Sequence, residues 1–425
     1  METESGVDTQ RDKSATKPAR VVWLLAAAML LAASGQTFVS AVFPLYGRAL
    51  QLTEAEIAIL LSASSVMLVL ATPAWGRLSE RLGRRLVLLI GFLGYSIGTA
   101  IFLALAAAEE HGLITGWRFF VLLLLSRLLQ AGLFAATTPA IVAWISDLTQ
   151  AQERMKAMGV ISACATLGMM SGPMIASALA GFGLTTPFYF FMTTFFIASI
   201  ALARLPETAK RQNSAGNLVR GVSFFDPRVR IYVCAGVLIF TALALLQFAL
   251  ALYLQDGLRL SVERAAQVAG GALALASGIS AVTQLSWGRR VRWSPPLRIR
   301  VGSLVAVVGY LVLGLLENIP GLALAMILTG LGMGLVMPAF RAGASLATKA
   351  EEQGSVAGLV SACAPIGYVI GPLLGAQLYA LGPRAPFVAA ALVLVPSVLW
   401  RRHERSAVTE MPGATRAELA TEPVE

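Results

Sequence analysis

Length, composition and charge limit the classes of protein to which this chain can belong. It has 425 residues, of which 57% are hydrophobic and 13% are charged, and its net charge is +10. A soluble protein carries about 25% charged residues, whereas a helix of about 20 apolar residues crosses a bilayer. The apolar residues here fall in such runs. The composition therefore excludes an ordinary soluble protein and predicts an all-α polytopic membrane protein.

Twelve apolar segments are predicted to span the membrane. In chain order they cover residues 21–44, 57–75, 86–107, 119–146, 157–180, 187–204, 230–253, 265–287, 299–316, 321–346, 356–380 and 386–400. They form two six-helix bundles, residues 21–204 and 230–402, which are joined by a polar linker of residues 205–229. The polar tails, residues 1–20 and 403–425, are expected to be disordered. The predicted fold class is 12 transmembrane helices in two six-helix halves.

The chain contains an internal duplication. Residues 159–188 and 358–387 align without a gap at an offset of 199 residues, and 12 of the 30 positions are identical. Shorter matches pair Trp75-Gly76-Arg77 with Trp287-Gly288-Arg289, Gly94-Tyr95 with Gly309-Tyr310, and Pro139-Ala140 with Pro338-Ala339. Two membrane halves related by duplication are typical of secondary transporters, whose binding site lies between the halves.

The basic charge is distributed as a topology signal. Of the 33 lysines and arginines, one is interpreted as lying within a span, Arg127, and five as lying in outside loops. Those five are Arg48, Arg118, Arg259, Arg264 and Arg384. The others fall on one side, which the positive-inside rule identifies as the cytoplasm. Both termini are therefore predicted to be cytoplasmic, in a multi-pass protein of the cell inner membrane, and the charge indicates contact with the lipid bilayer rather than with nucleic acid.

Cysteine and histidine positions give no sign of metal or redox chemistry. Cys164, Cys234 and Cys363 lie in apolar runs and are interpreted as small packing residues, whereas His111 lies in a loop and His403 in a tail. No spacing resembles a metal site. There is also no catalytic constellation, so we expect no cofactor and no enzymatic activity.

A basic loop follows the second span. It contains Gly76, Glu80, Gly83, Arg84 and Arg85. The glycines allow tight turns and close approach of helices. Basic residues at a cytoplasmic helix end are also expected from topology alone, but the regular spacing favours a specific role.

This loop resembles the signature of the major facilitator superfamily between helices 2 and 3, with Glu80 where aspartate is usual. The resemblance extends over residues 20–402. It implies a salt-bridged latch in which Glu80 and Arg84 pair with Asp147, at the end of span 4, and hold the halves closed on the cytoplasmic side. Exchange between conformations would break this latch. The implied latch consists of Gly76, Glu80, Gly83, Arg84, Arg85 and Asp147.

Span 4 carries a charged residue, Arg127, with Gln130 three positions later on the same helix face. An arginine within a membrane span is costly and generally marks a functional site. The pair is similar to the superfamily's Arg-x-x-Gln-Gly motif. It is interpreted as lining the cavity, where Arg127 acts on a proton-binding group or an anionic substrate. The alternative is that Arg127 extends to the outer interface.

Spans 5 and 11 share a Gly-x-x-x-Gly-Pro motif. Small residues at this spacing let helices pack closely, and most such motifs are purely structural. The motif is similar to one that marks the exporting, drug–proton antiporter branch of the superfamily. The resemblance implies hinges that seal one side of the cavity. The candidate hinge residues are Gly168, Gly172, Pro173, Gly367, Gly371, Pro372 and Gly375.

No aspartate or glutamate lies in the middle of a predicted span; the closest are Asp147, Glu317, Glu54 and Glu56. Exporters of cationic drugs in this superfamily usually place a carboxylate in the cavity. Its absence favours a neutral, zwitterionic or anionic substrate and a peripheral proton carrier, Asp147 or Glu56. The polar residues expected to line the cavity or to join helices are Gln36, Ser40, Gln130, Thr137, Thr138, Gln247, Thr283, Gln284 and Tyr368.

These features together predict a monomeric transporter that exports a small amphiphilic molecule, either a drug or a native metabolite such as a siderophore, in exchange for protons. One alternative is a proton-linked importer of sugars or organic acids, against which the Gly-Pro motif argues. The other is a non-transporting membrane sensor on the same fold, which a large soluble domain would favour.

Overall fold

The computed structural model describes the backbone of residues 5–205, 222–290, 293–349 and 352–399. Within these ranges, the side chains of residues 5–20, 151–152, 155 and 287–290 are not described. The central part of the predicted linker and the C-terminal tail therefore lie outside the described residues, and the matched Trp287-Gly288-Arg289 is described by its backbone alone.

The described part of the chain is helical throughout, with short connections. The helices are α1 (Ser5–Ala49), α2 (Glu54–Leu82), α3 (Arg84–Glu110), α4 (Gly116–Phe134), α5 (Thr137–Leu148), α6 (Ala151–Ala180), α7 (Thr186–Ala203), α8 (Arg230–Asp256), α9 (Val262–Arg290), α10 (Pro295–Leu315), α11 (Ile319–Leu346), α12 (Gln353–Leu381) and α13 (Ala385–Leu399).

The predicted set of spans is confirmed in outline. Eleven segments of the described chain are long and apolar enough to cross a membrane, and α13 is a shorter apolar helix in the place of the twelfth. The backbone of α1 begins at Ser5, which differs from the disordered tail expected for residues 1–20; only Val21–Ala49 of this helix qualifies as a span. The fold class is all-α and polytopic, as predicted.

The predicted fourth span consists of two helices rather than one. Helix α4 ends at Phe134 and α5 begins at Thr137, although together they form one apolar segment. Proline lacks the backbone N–H that would bond to the carbonyl four residues earlier, and its ring crowds that carbonyl. For Pro139 the residue four positions earlier is Ala135, which lies in the break. The proline therefore accounts for the missing backbone hydrogen bond at this break.

The duplication is visible as repeated packing. Gly168 and Gly172 of α6 lie against the backbone of α1 at Leu30 and Ser34. In the second half the equivalent Gly367 of α12 lies against α8. A residue larger than glycine at these positions would separate the helices. The motif shared by the two copies thus fixes the same helix pair in each half, α6 on α1 and α12 on α8.

One pairing inferred from the sequence is wrong by a helical turn. The sequence matches Gly94 with Gly309, but the structure packs Gly98 against Gln130 of α4 and Gly309 against Thr329 of α11. Gln130 and Thr329 are equivalent at the repeat offset of 199 residues. The structural counterpart of Gly309 is therefore Gly98. Glycines recur along α3 at short intervals, so a match of two letters could not select the correct one.

The two ends of the bundle differ in how the halves meet. We name them after Arg48, near the end of α1, and Arg84, at the start of α3. Toward the Arg48 end, the Ser62 hydroxyl donates to the Val369 carbonyl at 2.8 Å, and the Ser177 hydroxyl donates to the Gln267 carbonyl at 2.6 Å. These two bonds, together with those from Arg48 to Gln255 and Asp256, join the halves toward the Arg48 end.

Candidate functional site

A cavity lies between the two halves and consists of adjoining chambers. The C-half chamber, about 290 Å³, is lined mainly by α8, α9 and α11 of the C half and by α6 of the N half. The N-half chamber, about 330 Å³, is lined mainly by α1, α2 and α4 of the N half and by α8 and α12 of the C half. Both chambers share Thr37, Met169, Gln247 and Tyr368. Residues from each half therefore enclose one continuous space.

A third chamber, the end chamber, extends this space toward the Arg84 end. It has a volume of about 380 Å³ and shares Thr166, Met169, Phe240 and Arg341 with the C-half chamber. Its remaining lining comes from the middle of α6, the first turns of α12 and Ser345 in the last turn of α11. At this end Gly159 and Gly358, the first identical pair of the repeat, have no neighbouring atom where a Cβ would lie. Neither glycine is therefore in a close helix contact.

Arg127 and Gln130 form a buried network in the N half. Arg127 is 8% exposed and lies about 17 Å from the start of α4, at 1.5 Å per residue. It donates to the Gln130 side-chain oxygen, and the Gln130 amide donates to the Thr99 hydroxyl at 2.6 Å. The guanidinium also lies over the rings of Phe43 and Phe102, at 5.7 and 5.8 Å. The side chain therefore points into the bundle and not to the outer interface.

The other predicted cavity residues also lie in the lining. Gln36 lines the N-half chamber, and Gln247 and Tyr368 line both main chambers, where the Tyr368 hydroxyl donates to Gln247 at 3.1 Å. Ser40, Thr138 and Gln284 are lining residues as well.

Two of the polar residues expected to line the cavity or to join helices do the latter. Thr137 is fully buried and lies against Gly91 of α3, and Thr283 lies against Gly334 of α11. Both occupy helix–helix contacts, where a small β-branched side chain fits beside a glycine. The sequence could not separate them from lining residues because both kinds of position are polar and lie within a span.

Sequence reasoning missed a second arginine of the cavity, Arg341. It was grouped with the cytoplasmic charges, but it lies within α11, five residues before the end of that helix at Leu346. It lines the C-half chamber and the end chamber, and its side chain is exposed to this space. An arginine inside the apolar run of residues 321–346 was the available signal.

The described lining of the three chambers contains no carboxylate. The described acidic residues lie at helix ends and in connections, as the sequence predicts. Glu56 completes the capping box that begins α2, bonding to the backbone N–H of Thr53 at 2.8 Å. No group of three or more metal-ligating side chains occurs among the described residues.

The implied latch residues come together only in part. Arg84 donates from Nε to Asp147 at 3.0 Å and from a terminal nitrogen to Ser79 at 2.5 Å. Arg85 donates to the Leu205 carbonyl at 2.9 Å. Glu80 is exposed and is not bonded to Asp147. The Arg84–Asp147 pair joins α3 to α5 within the N half, so it does not link the halves in this conformation.

Glycines position this group of charges. Gly83 separates α2 from α3 with φ of 94°, a conformation that side chains with a Cβ rarely adopt. The predicted tight turn at Gly83 is therefore present. Gly76, by contrast, is not tightly packed: a Cβ added there would lie 3.9 Å from the Pro139 Cβ, which is ordinary contact.

A cluster at the opposite end was not predicted. Arg48 of α1 donates to Glu54 at 2.7 Å and to Asp256 of α8 at 2.9 Å, and it contacts Gln255 at 3.2 Å. The Tyr379 hydroxyl of α12 donates to Asp256 at 2.7 Å, and the guanidinium lies over the Tyr379 ring. Because Arg48 belongs to the N half while Asp256 and Tyr379 belong to the C half, the cluster ties the halves together.

An exposed charge group connects the described end of the linker to α12. Arg228 pairs with Asp226 at 2.8 Å and with Glu352 at 2.9 Å. Hydrogen bonds from Arg228 hold the pKa of each carboxyl below its ordinary value. The Val222 backbone N–H donates to the Ser355 hydroxyl at 2.8 Å. These contacts attach residues 222–229 to the C half at the Arg84 end.

Comparison with known proteins agrees with the architecture. The profile described as Major Facilitator Superfamily matches residues 25–342 and 301–422. Multidrug resistance protein 2 of Bacillus subtilis is 25% identical over 93% of this chain and 98% of its own length. Tetracycline resistance protein, class C, of Escherichia coli is 27% identical over 83% of this chain and 88% of its own length.

Solved structures match at lower identity. A bacterial homologue of the human lysosomal transporter Spinster, in an inward-facing and occupied conformation, superposes with a TM-score of 0.70 at 17% identity. The match covers 90% of this chain and 95% of that one. The human organic anion transporter MFSD10 superposes with a TM-score of 0.60 at 20% identity, over 90% and 98% of the two chains. These likenesses concern the fold.

Proposed function

The chain belongs to the major facilitator superfamily, and from that premise we propose that it exports small amphiphilic organic molecules across the bacterial inner membrane in exchange for protons. The observation that carries this proposal is the cavity between the halves, which both halves line and which extends to only one end of the bundle. Such a cavity is the binding site of an alternating-access transporter. The relatives named for multidrug and tetracycline resistance support export of a drug-like molecule.

The distribution of basic residues indicates which side of the membrane the cavity opens to. The Arg84 end carries the basic loop after α2, and the positive-inside rule places such loops in the cytoplasm. The Arg48 end, where the halves are tied together, is then external. On this assignment the structure is inward-facing, with a cavity that takes up a cytoplasmic molecule. Both termini are cytoplasmic, and the protein acts as a monomer in the lipid bilayer.

The lining fits an amphiphile better than a sugar. The C-half chamber contains four methionines, Met169, Met170, Met333 and Met337. Methionine side chains are flexible and polarisable, and they adapt to apolar ligands of different shapes. A sugar importer requires many convergent polar groups instead. The candidate substrates are drugs or a native metabolite such as a siderophore.

Proton exchange requires a carrier outside the cavity lining. Glu56 serves the α2 capping box, which leaves Asp147 as the stronger of the two peripheral candidates. Asp147 pairs with Arg84 in the inward-facing state. A conformational change that separates this pair would make the Asp147 carboxylate available to a proton. The Arg84–Asp147 contact thus belongs to the latch and to the coupling.

Everted membrane vesicles with an acidic lumen test this proposal. An exporter moves the added compound into the lumen and moves protons out of it. A pH dye in the lumen detects the resulting rise in lumenal pH. We expect a response to neutral or anionic amphiphiles from wild type, its loss in Arg84→Gln, and its retention in Arg118→Gln, since Arg118 is exposed outside the cavity. Compound-dependent acidification of the lumen would instead establish import. Export would be rejected by two results together. Correctly inserted protein would respond to no compound, and deletion of the protein from cells would leave the set of secreted metabolites unchanged.

A further inference from the structure

Arg341 presents a charge to the cavity that no acidic residue of the described lining neutralises. Its side chain is exposed to the C-half and end chambers, about 8 Å from the end of α11 at 1.5 Å per residue. Among the described residues it makes no hydrogen bond or ion pair. Its guanidinium does make a cation–π contact with the ring of its chain neighbour, Phe340. An arginine within an apolar helix that bonds to no described protein group has donors available to an external partner.

Arg127 differs because its side chain is buried, although its Nε has no hydrogen-bond partner among the described residues. It is 8% exposed, donates to Gln130 and lies over two phenylalanine rings. Arg341 is instead exposed to the same continuous space. A ligand oxyanion in the cavity therefore reaches the exposed Arg341 more readily than the buried Arg127.

The surroundings of Arg341 are those of an anion site. Ser162, Ser345 and Ser361 line the end chamber with it, although the Ser345 and Ser361 hydroxyls donate to Gln353 and to the Ala357 carbonyl, and the described lining of all three chambers lacks carboxylates. A guanidinium binds a carboxylate or sulfonate through two parallel hydrogen bonds. A cationic ligand in this place would face an unscreened positive charge.

The apolar part of a ligand has a place beside the charge. Arg341 and Phe240 line both the C-half chamber and the end chamber, and Met169, Met333 and Met337 line the C-half chamber. One molecule can therefore place an anionic group at Arg341 and an apolar body among the methionines. The site therefore favours a ligand with an anionic group at one end and an apolar body beside it.

We propose that Arg341 binds the carboxylate or sulfonate group of an anionic amphiphile whose apolar body occupies the C-half chamber. The proposal rests on the export function proposed above and assigns the charge class of its substrate. The second half of the molecule also has a role that its duplicated sequence does not reveal, because the position equivalent to Arg341 in the first half is Val142.

Two probes that differ only in charge test the assignment. 8-Anilinonaphthalene-1-sulfonate carries a sulfonate on the same body as the neutral N-phenyl-1-naphthylamine. Saturable binding of each would be measured by equilibrium dialysis with protein in lipid nanodiscs, after subtraction of empty nanodiscs. The variants are Arg341→Gln, Arg341→Lys and, as a matched control, Arg118→Gln.

We expect Arg341→Gln to raise the Kd of the sulfonate about tenfold or more, since it removes a charged hydrogen bond, and to leave binding of the neutral probe nearly unchanged. Arg341→Lys retains part of the affinity because it keeps the charge but loses the planar pair of donors. Arg118→Gln has no effect on either probe. Equal weakening of both probes by Arg341→Gln, an unchanged sulfonate Kd, or no saturable sulfonate binding by wild type would each overturn the proposal.

Transport of the same probes separates this inference from the export function. If everted vesicles accumulate the neutral probe but sulfonate binding is independent of Arg341, export stands and the anion site is rejected. If sulfonate binding depends on Arg341 but vesicles accumulate neither probe, the anion site stands and export of this class is rejected.

Discussion

The two halves of this transporter share their packing and differ in where they place a charge. In the N half the buried arginine is Arg127 of α4, and the equivalent position of the C half is the buried Met326. In the C half the cavity arginine is Arg341, and its N-half equivalent is Val142. The duplication thus retains the glycines that set helix contacts, while each half has acquired its own cation in a different position. The helix packing is therefore repeated in the two halves, whereas the positions of the cavity arginines are not.

The largest expected effect comes from Arg127→Met, which gives the N half the residue found at the equivalent position of the C half. The substitution leaves the Gln130 side-chain oxygen without its donor in a buried setting, and it removes the charge from the N-half chamber. We expect transport in vesicles to fall by roughly tenfold to hundredfold, the range for a lost charged hydrogen bond.

Substitution of the equivalent methionine, Met326→Leu, is the control and should leave transport near wild type, because it conserves volume in a buried apolar position. Wild-type transport by Arg127→Met would show that the arginine only fills space, and the difference between the halves would then have no functional meaning.

A smaller effect, equal in the two halves, is expected from the shared glycines. Gly172→Leu and Gly371→Leu each place a side chain against the neighbouring helix, α1 or α8. Overpacking of this kind lowers the free energy of unfolding by about 1–3 kcal/mol. Thermal unfolding of the purified protein measures it. Gly159→Ala and Gly358→Ala are matched controls, since nothing lies within 4 Å of a Cβ there; a shift as large in these controls would contradict the packing argument.

Arg48→Gln weakens the cluster that closes the Arg48 end. The pairs are partly exposed, with Arg48 20% and Asp256 37% exposed, so each is worth about 0–1 kcal/mol. Of the two pairs, the Arg48–Asp256 pair joins the halves, so its loss shifts the balance of conformations toward opening at this end by up to about fivefold. Spin labels at Gln51 and Leu258 would report a longer distance population in the variant. An unchanged distance distribution would show that Ser62 and Ser177 suffice to hold this end closed.

The smallest effect concerns pH and is confined to the C half. The pKa of Asp226 and that of Glu352 are depressed by Arg228, so their contribution to stability is present above the ordinary pKa of these groups and is lost as pH falls through the depressed values. The difference in melting temperature between wild type and Arg228→Gln should therefore be small at pH 7 and should shrink as the pH falls below the ordinary pKa of these groups, about 4. If the difference in melting temperature instead grew on acidification, the pH dependence would have the opposite sign, and stabilisation by these two ionised carboxyls would be excluded.

Sequence patterns predicted the spans and the duplication because both follow from strong local signals. Apolar runs of membrane length identify helices, and a gapless match over 30 residues identifies a repeat. The break between α4 and α5 was not foreseen. Pro139 interrupts the helix there, whereas its equivalent Pro338 lies inside the continuous α11. The surrounding packing decides whether a membrane proline breaks a helix, and a single sequence does not specify it.

The candidate site was predictable only where polarity within a span is itself the signal. Arg127, Gln130, Gln36, Gln247 and Tyr368 all line the cavity as expected. The closing contacts of the Arg48 end were not predictable, because they join residues from opposite halves, far apart in the chain. The latch and hinge roles remain predictions, since a single conformation shows their contacts and not their exchange.

The cavity is bounded by both halves, and this has a thermodynamic consequence. When one half rotates against the other, the distances across the lining change, so the free energy of binding depends on the conformation of the protein. By linkage, a bound molecule favours one conformation over the other by as much as its two affinities differ and by no more. A molecule that touched only the N half or only the C half would bind equally well before and after the rotation. A bound molecule therefore shifts the conformational equilibrium because it contacts both halves.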